Sequence, residues 1–186
     1  MTEREKMISE MLYNPMDKEL VEARLNARKL NREFNNSAPE EIEKREKILK
    51  KLFGSTGDSI YIEPNFICDY GFNIYVGENF YANFNCLMLD TAEIRIGKNC
   101  MIAPNVSLYT ATHPIDPTER MSGTEFGKGI TIGDNCWLGG NSVILPGVKL
   151  GDNVVVGAGA VVTKSFGDNV VLGGNPAKVI KNIEPK

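Results

Sequence analysis

The stretch ITIGDNCWLGGNSVILPGVKLGDNVVVGAGAVVT, residues 130–163, repeats with a period of six. Branched aliphatic side chains recur at Ile132, Leu138, Ile144, Leu150, Val156 and Val162. Glycine follows four of them, at Gly133, Gly139, Gly151 and Gly157. Two positions before each aliphatic sits a small or aliphatic residue: Ile130, Cys136, Ser142, Val148, Val154 and Ala160. An amphipathic helix repeats near 3.6 residues and a half-buried strand every 2, so neither gives this pattern. A short strand closed by a tight turn every six residues does. Glycine and asparagine at the turns (Asn135, Asn141, Asn153) suit backbone with φ > 0, where a Cβ is costly.

Three such units make one triangular coil of a parallel β-helix, with one aliphatic per face pointing into a narrow axial core. Stacked coils bury each other, so stability accumulates from neighbour to neighbour. The alternative is a β-sandwich with chance spacing, which six consecutive hits with matched glycines disfavour. The same phase extends upstream through Ile96, Ile102 and Leu108. Val76, Ala82 and Met88 keep the period but stand two residues out of phase. The expected class is mainly β.

At 186 residues the chain is long enough for one or two domains with a proper core. A net charge of −3 argues against a surface built for nucleic acid phosphates. No apolar run reaches the ~20 residues needed to cross a bilayer. Residues 1–10 are charged and lack the apolar centre of a signal peptide, so the cytoplasm is expected. Cys68, Cys86, Cys100 and Cys136 form no CxxC pair. Separations of 18 and 36 residues, whole coils of the repeat, mark them as core fillers rather than metal ligands or disulfides.

Residues 1–57 differ in composition, with many charges and few β-branched residues. Leu20, Ala23, Ala27, Leu30 and Phe34 step by three and four, which predicts a helix with one apolar face. Ser37-Ala38-Pro39-Glu40 has the form of a capping box opening a second helix, which would carry Ile42, Ile48, Leu49, Leu52 and Phe53 inward. The helical segment is expected to pack on the end or side of the β-helix formed by residues 58–186. Within that solenoid, Cys68–Asn73 and Phe80–Asn85 interrupt the aliphatic rhythm with polar and aromatic residues, suggesting a pocket surface; for Asn85 an asparagine ladder is the alternative. Aliphatics are due at positions 114, 120 and 126, but Pro114, Arg120 and Phe126 stand there. Residues 113–129 are therefore expected to leave the solenoid as a loop, and long excursions from regular scaffolds tend to carry function. His113, the only histidine, sits at its base. After Thr163, a tail containing Gly173-Gly174-Asn175-Pro176-Ala177-Lys178 breaks the pattern. Lys164, Lys178 and Lys181 place positive charge near that end, either for a phosphorylated ligand or simply solvated.

Taken together, Tyr13-Asn14-Pro15, the Asn83 segment, Thr112-His113-Pro114 and Gly174-Asn175-Pro176-Ala177 resemble the hexapeptide-repeat sugar O-acetyltransferases. The likeness is to the maltose and galactoside group, nearest the maltose type, and runs nearly end to end. The resemblance implies a left-handed β-helix, a handedness that the usual rule for parallel crossovers would not predict. It also implies a homotrimer with active sites between subunits, and acetyl-CoA as co-substrate without a metal. A sugar such as maltose or glucose would be the acceptor, with its primary C6 hydroxyl favoured on steric grounds.

A sugar hydroxyl is a poor nucleophile at neutral pH, so a base must take its proton as the new bond forms. Histidine suits that task, and His113 is assigned to it. Glu125 is expected to hydrogen-bond the other ring nitrogen and stabilise the imidazolium; the alternative is a solvated loop residue. By resemblance, Asn83 fixes the acceptor or the base, Tyr81 and Asp69 bind sugar hydroxyls, and Asp17 reaches the acceptor from the helical segment. The backbone N–H of Gly140 would stabilise the oxyanion. Trp137 would line the coenzyme site, with Ala158, Thr163, Lys164, Lys178 and Lys181 along pantetheine and nucleotide. Lysine at the last two positions, where the galactoside type has arginine, keeps the charge but not the bidentate fork. Three competing readings remain. A non-sugar acceptor fits the same scaffold; a zinc hydratase would need three histidine ligands; a non-catalytic scaffold would have no use for His113, Asn83 and Trp137 together.

Overall fold

The computed structural model describes residues 1–184. Its solenoid has three parallel faces visited in turn. The first face stacks β1 (Ile60–Ile62), β4 (Phe80–Ala82), β7 (Met101–Ile102), β12 (Trp137–Leu138), β15 (Val155–Val156) and β17 (Val170–Gly173); β18 (Lys178–Asn182) closes it in antiparallel fashion. The second stacks β2 (Ile67–Cys68), β5 (Leu87–Leu89), β8 (Ser107–Tyr109), β13 (Val143–Ile144) and β16 (Val161–Val162). The third stacks β3 (Ile74–Val76), β6 (Ile94–Ile96), β11 (Ile130–Ile132) and β14 (Lys149–Leu150). The first face therefore carries six parallel rungs, the coils expected from the six-residue period.

The aliphatics that set the period, and the residues two positions before them, are all buried, and all but the polar Ser142 belong to one continuous hydrophobic core. Each strand contributes a single rung, so its outward residue is left on the face while its neighbours fill the axis. The phase slip has a definite location. Val76 pairs with Ile96, twenty positions on, whereas Ile132 pairs with Leu150, eighteen on. The extra two residues fall at the corner between the second and third faces, at Asp90-Thr91 between β5 and β6. The next coil departs at that same corner, between β8 and β11. There the excursion is a two-stranded ribbon, β9 (Ala111–Thr112) against β10 (Phe126–Gly127), with the short helix α4 (Pro117–Met121) at its tip.

Asparagine and glycine at the turns serve two different ends. Asn135, Asn141 and Asn153 do have positive φ, as do Asn79, Asn99 and Asn169. At the corner between the third and first faces their amides form a ladder, Asn79 to Asn99 to Asn135 to Asn153 to Asn169, at 2.8–3.1 Å. The repeat's glycines at 133, 139, 151 and 157 are not among the glycines with positive φ. They are there because coils stack closely: a Cβ on Gly133 would stand 2.6 Å from the carbonyl of Gly151.

The helical segment covers the first coil. It comprises α1 (Glu3–Ile8), α2 (Lys18–Asn35) and α3 (Ile42–Leu52). Leu30 and Phe34 of α2 and Ile48, Leu49 and Leu52 of α3 join the solenoid core. Polar side chains satisfy the otherwise open backbone edge of the first coil. Asn35 accepts from Phe66 N–H (2.9 Å) and donates to Phe66 C=O (2.8 Å); Asn31 donates to Cys68 C=O and Arg45 to Ile62 C=O. Two expectations fail here. Ser37 opens no capping box: its hydroxyl turns back to the Phe34 carbonyl and ends α2, while α3 begins three residues after Pro39 without a side-chain cap. Ile42 is exposed rather than inward, because the later start of α3 rotates it off the apolar face. The capping box instead lies at α1, between Thr2 and Glu5.

Close stacking makes Gly133 intolerant of a side chain. Gly133→Ala is expected to lower stability by about 2 kcal/mol or more, the cost of forcing atoms into a filled space. Thermal melting checks it; an unchanged midpoint would show that the coils can separate locally.

Candidate active site

The corner between the second and third faces carries the only histidine of the sequence together with the carboxylates of Asp69, Asp90 and Glu125. His113 follows β9 directly and is half exposed, at 53% of its side chain. Its Nδ1 lies 3.4 Å from the carbonyl oxygen of Thr124, across the neck of the excursion. Its Nε2 lies 3.9 Å from Oε2 of Glu125. The ring's second nitrogen thus faces a backbone carbonyl, and the carboxylate meets the first. The expectation that Glu125 hydrogen-bonds the ring nitrogen away from the base is not met: the Thr124 carbonyl stands at Nδ1, and the carboxylate lies beside Nε2, at ion-pair rather than hydrogen-bond distance.

Glu125 is largely covered, with 18% of its side chain exposed. Its Oε1 accepts a hydrogen bond from the Tyr13 hydroxyl, and the two backbones form an antiparallel bridge, Tyr13 N–H to Glu125 C=O at 3.0 Å and the reverse at 3.3 Å. Burial, then the bond to Glu125, drives the Tyr13 phenol far above its ordinary pKa, so it remains a donor. Tyr70 packs with Tyr13 and accepts from Arg24 at 2.6 Å; the same guanidinium donates to Pro15 C=O at 2.6 Å. Glu10 accepts from Gly129 N–H at 2.7 Å, a second tie between the N-terminal segment and the excursion. A groove of about 760 Å³ runs past His113, lined also by Glu10, Leu12, Phe126, Leu145 and Thr163. A larger groove, about 890 Å³, lies among interspersed Glu and Lys side chains of α2 and α3, away from this chemistry.

Beneath the site lies Asp90. Its Oδ1 accepts from the N–H groups of Asp69 (3.0 Å) and Tyr70 (2.9 Å), while Oδ2 is buried without a partner. Burial pushes this carboxyl up to about 7. Asp69 is also raised, first by burial and then by the negative charge of Glu125, with Arg24 and Arg28 pulling it back.

The remaining candidates divide between two regions of the chain. Asp69, His113, Glu125, Thr163 and Lys164 lie at or beside the corner between the second and third faces. Asn83, Gly140 and Ala158 lie at the corner between the first and second faces, following β4, β12 and β15. Tyr81 and Trp137 stand outward on the first face itself, Tyr81 stacked on Tyr61 at 6.1 Å and Trp137 half exposed. Lys178 and Lys181 are exposed on β18 at the end of that face. Asp17 caps α2, its Oδ1 accepting from Glu19 N–H at 3.0 Å. The four cysteines are free and buried, and no cluster with metal-ligand geometry occurs among the described residues. Sequence patterns assigned no role to Asp90, Thr124 or the Tyr13 hydroxyl. The two-residue phase slip was the available signal for Asp90; the others depend on contacts made across the fold.

Asp90 has a consequence for stability. The folded chain holds its proton up to about pH 7, whereas an unfolded aspartate loses it near 3.9. The folded state binds more protons between those values, so this group's contribution is full at low pH and declines as pH rises toward 7. Asp90→Asn keeps an acceptor for the two N–H groups and removes the ionisation. Its stability should fall less than the wild type's between pH 5.5 and 8, the gap being at most on the order of 2 kcal/mol, because only about 1.5 pH units of that window lie below the folded value. Parallel pH curves would refute the assignment.

Comparison with known proteins places these features in context. Residues 6–57 match the maltose acetyltransferase hexapeptide capping motif and residues 129–164 the hexapeptide repeat of succinyl-transferase. The chain is 45% identical over 175 residues to galactoside O-acetyltransferase of Escherichia coli, covering 94% of this chain and 86% of that one. The crystal structure of a maltose O-acetyltransferase from Clostridium difficile superimposes with a TM-score of 0.98 at 55% identity, covering 100% of this chain and 99% of that one. A galactoside acetyltransferase in complex with coenzyme A superimposes with a TM-score of 0.95 at 43% identity, covering 99% and 92%.

Proposed function

The chain belongs to the maltose and galactoside O-acetyltransferase family of hexapeptide-repeat acetyltransferases, and we propose that it moves the acetyl group of acetyl-CoA directly onto a hydroxyl of a sugar such as maltose or glucose. The observation that carries this is the setting of the only histidine: Nδ1 faces a carbonyl and Nε2 a carboxylate, beside an open groove. In the proposed reaction the Nε2 of His113 takes the hydroxyl proton as the sugar oxygen attacks the acetyl carbonyl carbon. The tetrahedral oxyanion forms against the Gly140 N–H, whose backbone needs no side chain for the purpose. Collapse breaks the thioester C–S bond, and the imidazolium returns its proton to the leaving thiolate. Glu125, 3.9 Å from the ring, stabilises the imidazolium between these steps. The primary C6 hydroxyl is the favoured nucleophile, being the least hindered.

Asn83, Tyr81, Asp69 and Asp17 are proposed to hold the acceptor, and Trp137, Ala158, Thr163, Lys164, Lys178 and Lys181 the coenzyme. His113 and Gly140 lie on different corners of one chain, so the reaction calls for two copies side by side. The outward rungs favour such packing. On the first face they are Tyr61, Tyr81, Met101, Trp137, Val155 and Val171; on the second, Ile67, Leu87, Ser107, Val143 and Val161. The third face instead shows Tyr75, Arg95, Thr131 and Lys149. Two apolar faces and one polar face suit a closed ring in which each copy offers both apolar sides, and the proposed assembly is a homotrimer. Four buried free thiols suit a reducing compartment, in keeping with a cytoplasmic enzyme.

The test of the reaction is thiol release from acetyl-CoA with a panel of sugars and non-sugar hydroxyl compounds. Turnover should require a sugar, and His113→Ala should lower kcat by about 10²–10⁴. Undiminished turnover in that variant would remove His113 as base, and release only with a non-sugar acceptor would remove the sugar. For the assembly, Val143→Glu places a charge in the middle of the second face. Light scattering should show it dissociated and inactive where the wild type is a trimer; a monomeric, active wild type would overturn the two-copy site.

A further inference from the structure

Glu125 stands on a long excursion whose tip is solvent-exposed at Ile115 and Met121, yet its carboxylate is held in one orientation. The group that holds it comes from the other end of the chain. Tyr13 is 1% exposed, its ring packed among Met7, Leu20 and Tyr70, and its hydroxyl donates to Oε1 of Glu125. A buried hydroxyl without a partner is costly, so the phenol and the carboxylate oblige each other. The paired backbone hydrogen bonds between the same two residues, and the Glu10–Gly129 contact, fix the strand of the excursion from which Glu125 projects. Arg24, which packs on the same tyrosine pair, is engaged elsewhere: it donates to the Tyr70 hydroxyl and to Pro15 C=O. With Oε1 taken by Tyr13, Oε2 is the oxygen left facing His113.

We propose that Tyr13 is a positioning residue for acetyl transfer, acting through Glu125 and resting on the assignment of His113 as base. Its hydroxyl decides which carboxylate oxygen is presented to the imidazole, and so where the charge that stabilises the imidazolium stands. The ring alone would satisfy the packing, since phenylalanine fills the same space without the hydrogen bond. The N-terminal segment is thereby part of the catalytic apparatus and more than a cover for the first coil.

The test is a double-mutant cycle of Tyr13→Phe and Glu125→Ala, read as kcat and KM with acetyl-CoA and an accepted acceptor. Tyr13→Phe alone should lower kcat roughly tenfold or more while KM for acetyl-CoA stays within about twofold, the signature of a misplaced group rather than lost binding. In the Glu125→Ala background the same change should cost nothing further. An unchanged kcat for Tyr13→Phe, or an equal fractional loss in both backgrounds, would overturn the proposal. The second outcome is also what a general weakening of the fold would produce, so the cycle separates positioning from lost stability even where the melting temperature falls. Wild-type turnover and its loss in His113→Ala are measured in the same assay. Failure there would refute the reaction, whereas failure of the cycle alone would refute only the role of Tyr13.

Discussion

Each coil of this chain hands its backbone N–H and C=O groups to the coil stacked on it, so the three faces must rise together. Ladder bonds such as Met101 N–H to Cys136 C=O and Trp137 N–H to Val154 C=O repeat that exchange along the axis. A single added residue within a strand would turn its core side chain outward. Length can therefore change only at corners, and only where the neighbouring coils permit it. The corner between the third and first faces permits none, being locked by its asparagine amides. The corner between the second and third faces takes two extra residues at Asp90-Thr91 and then the whole ribbon between β8 and β11.

Chemistry follows that permission. A rung needs aliphatic residues inside, which leaves no room for a base or an acid. The tolerant corner can carry polar side chains without breaking the ladder, and Asp69, Asp90 and the pair His113 and Glu125 lie there on three successive coils. The same geometry disperses the rest of the proposed site. A solenoid has no cleft of its own, since its faces are convex to one another, so Asn83 and Gly140 meet His113 only if a second solenoid stands alongside.

Much of the fold could be read from the sequence because the constraint is periodic. Ile132, Leu138, Ile144 and their successors announce the coil, and the slip at Val76, Ala82 and Met88 marks where a corner is longer. His113 was legible because it is alone and stands where the period lapses. The glycines were read as turn formers, but their role at 133 and 151 is to let backbones approach, a contact between residues a whole coil apart. Ser37 and Glu40 had the spacing of a capping box, yet tertiary packing starts α3 later and gives Ser37 to α2. The Tyr13–Glu125 bond joins residues 112 positions apart, and no local pattern encodes a pairing of that kind.

A stack of identical parallel coils contains nothing that tells it when to stop: its last rung is as good a template as any before it. Here the two terminal structures supply that instruction by different means. At one end the amide of Asn35 imitates a single residue of the next rung and then offers nothing beyond it. At the other, β18 runs against its neighbours, so the surface it presents cannot accept a further coil in the same sense. The chain is in this respect a polymer with both chain-stoppers built in, and coils could be added or lost between them without exposing a growing end.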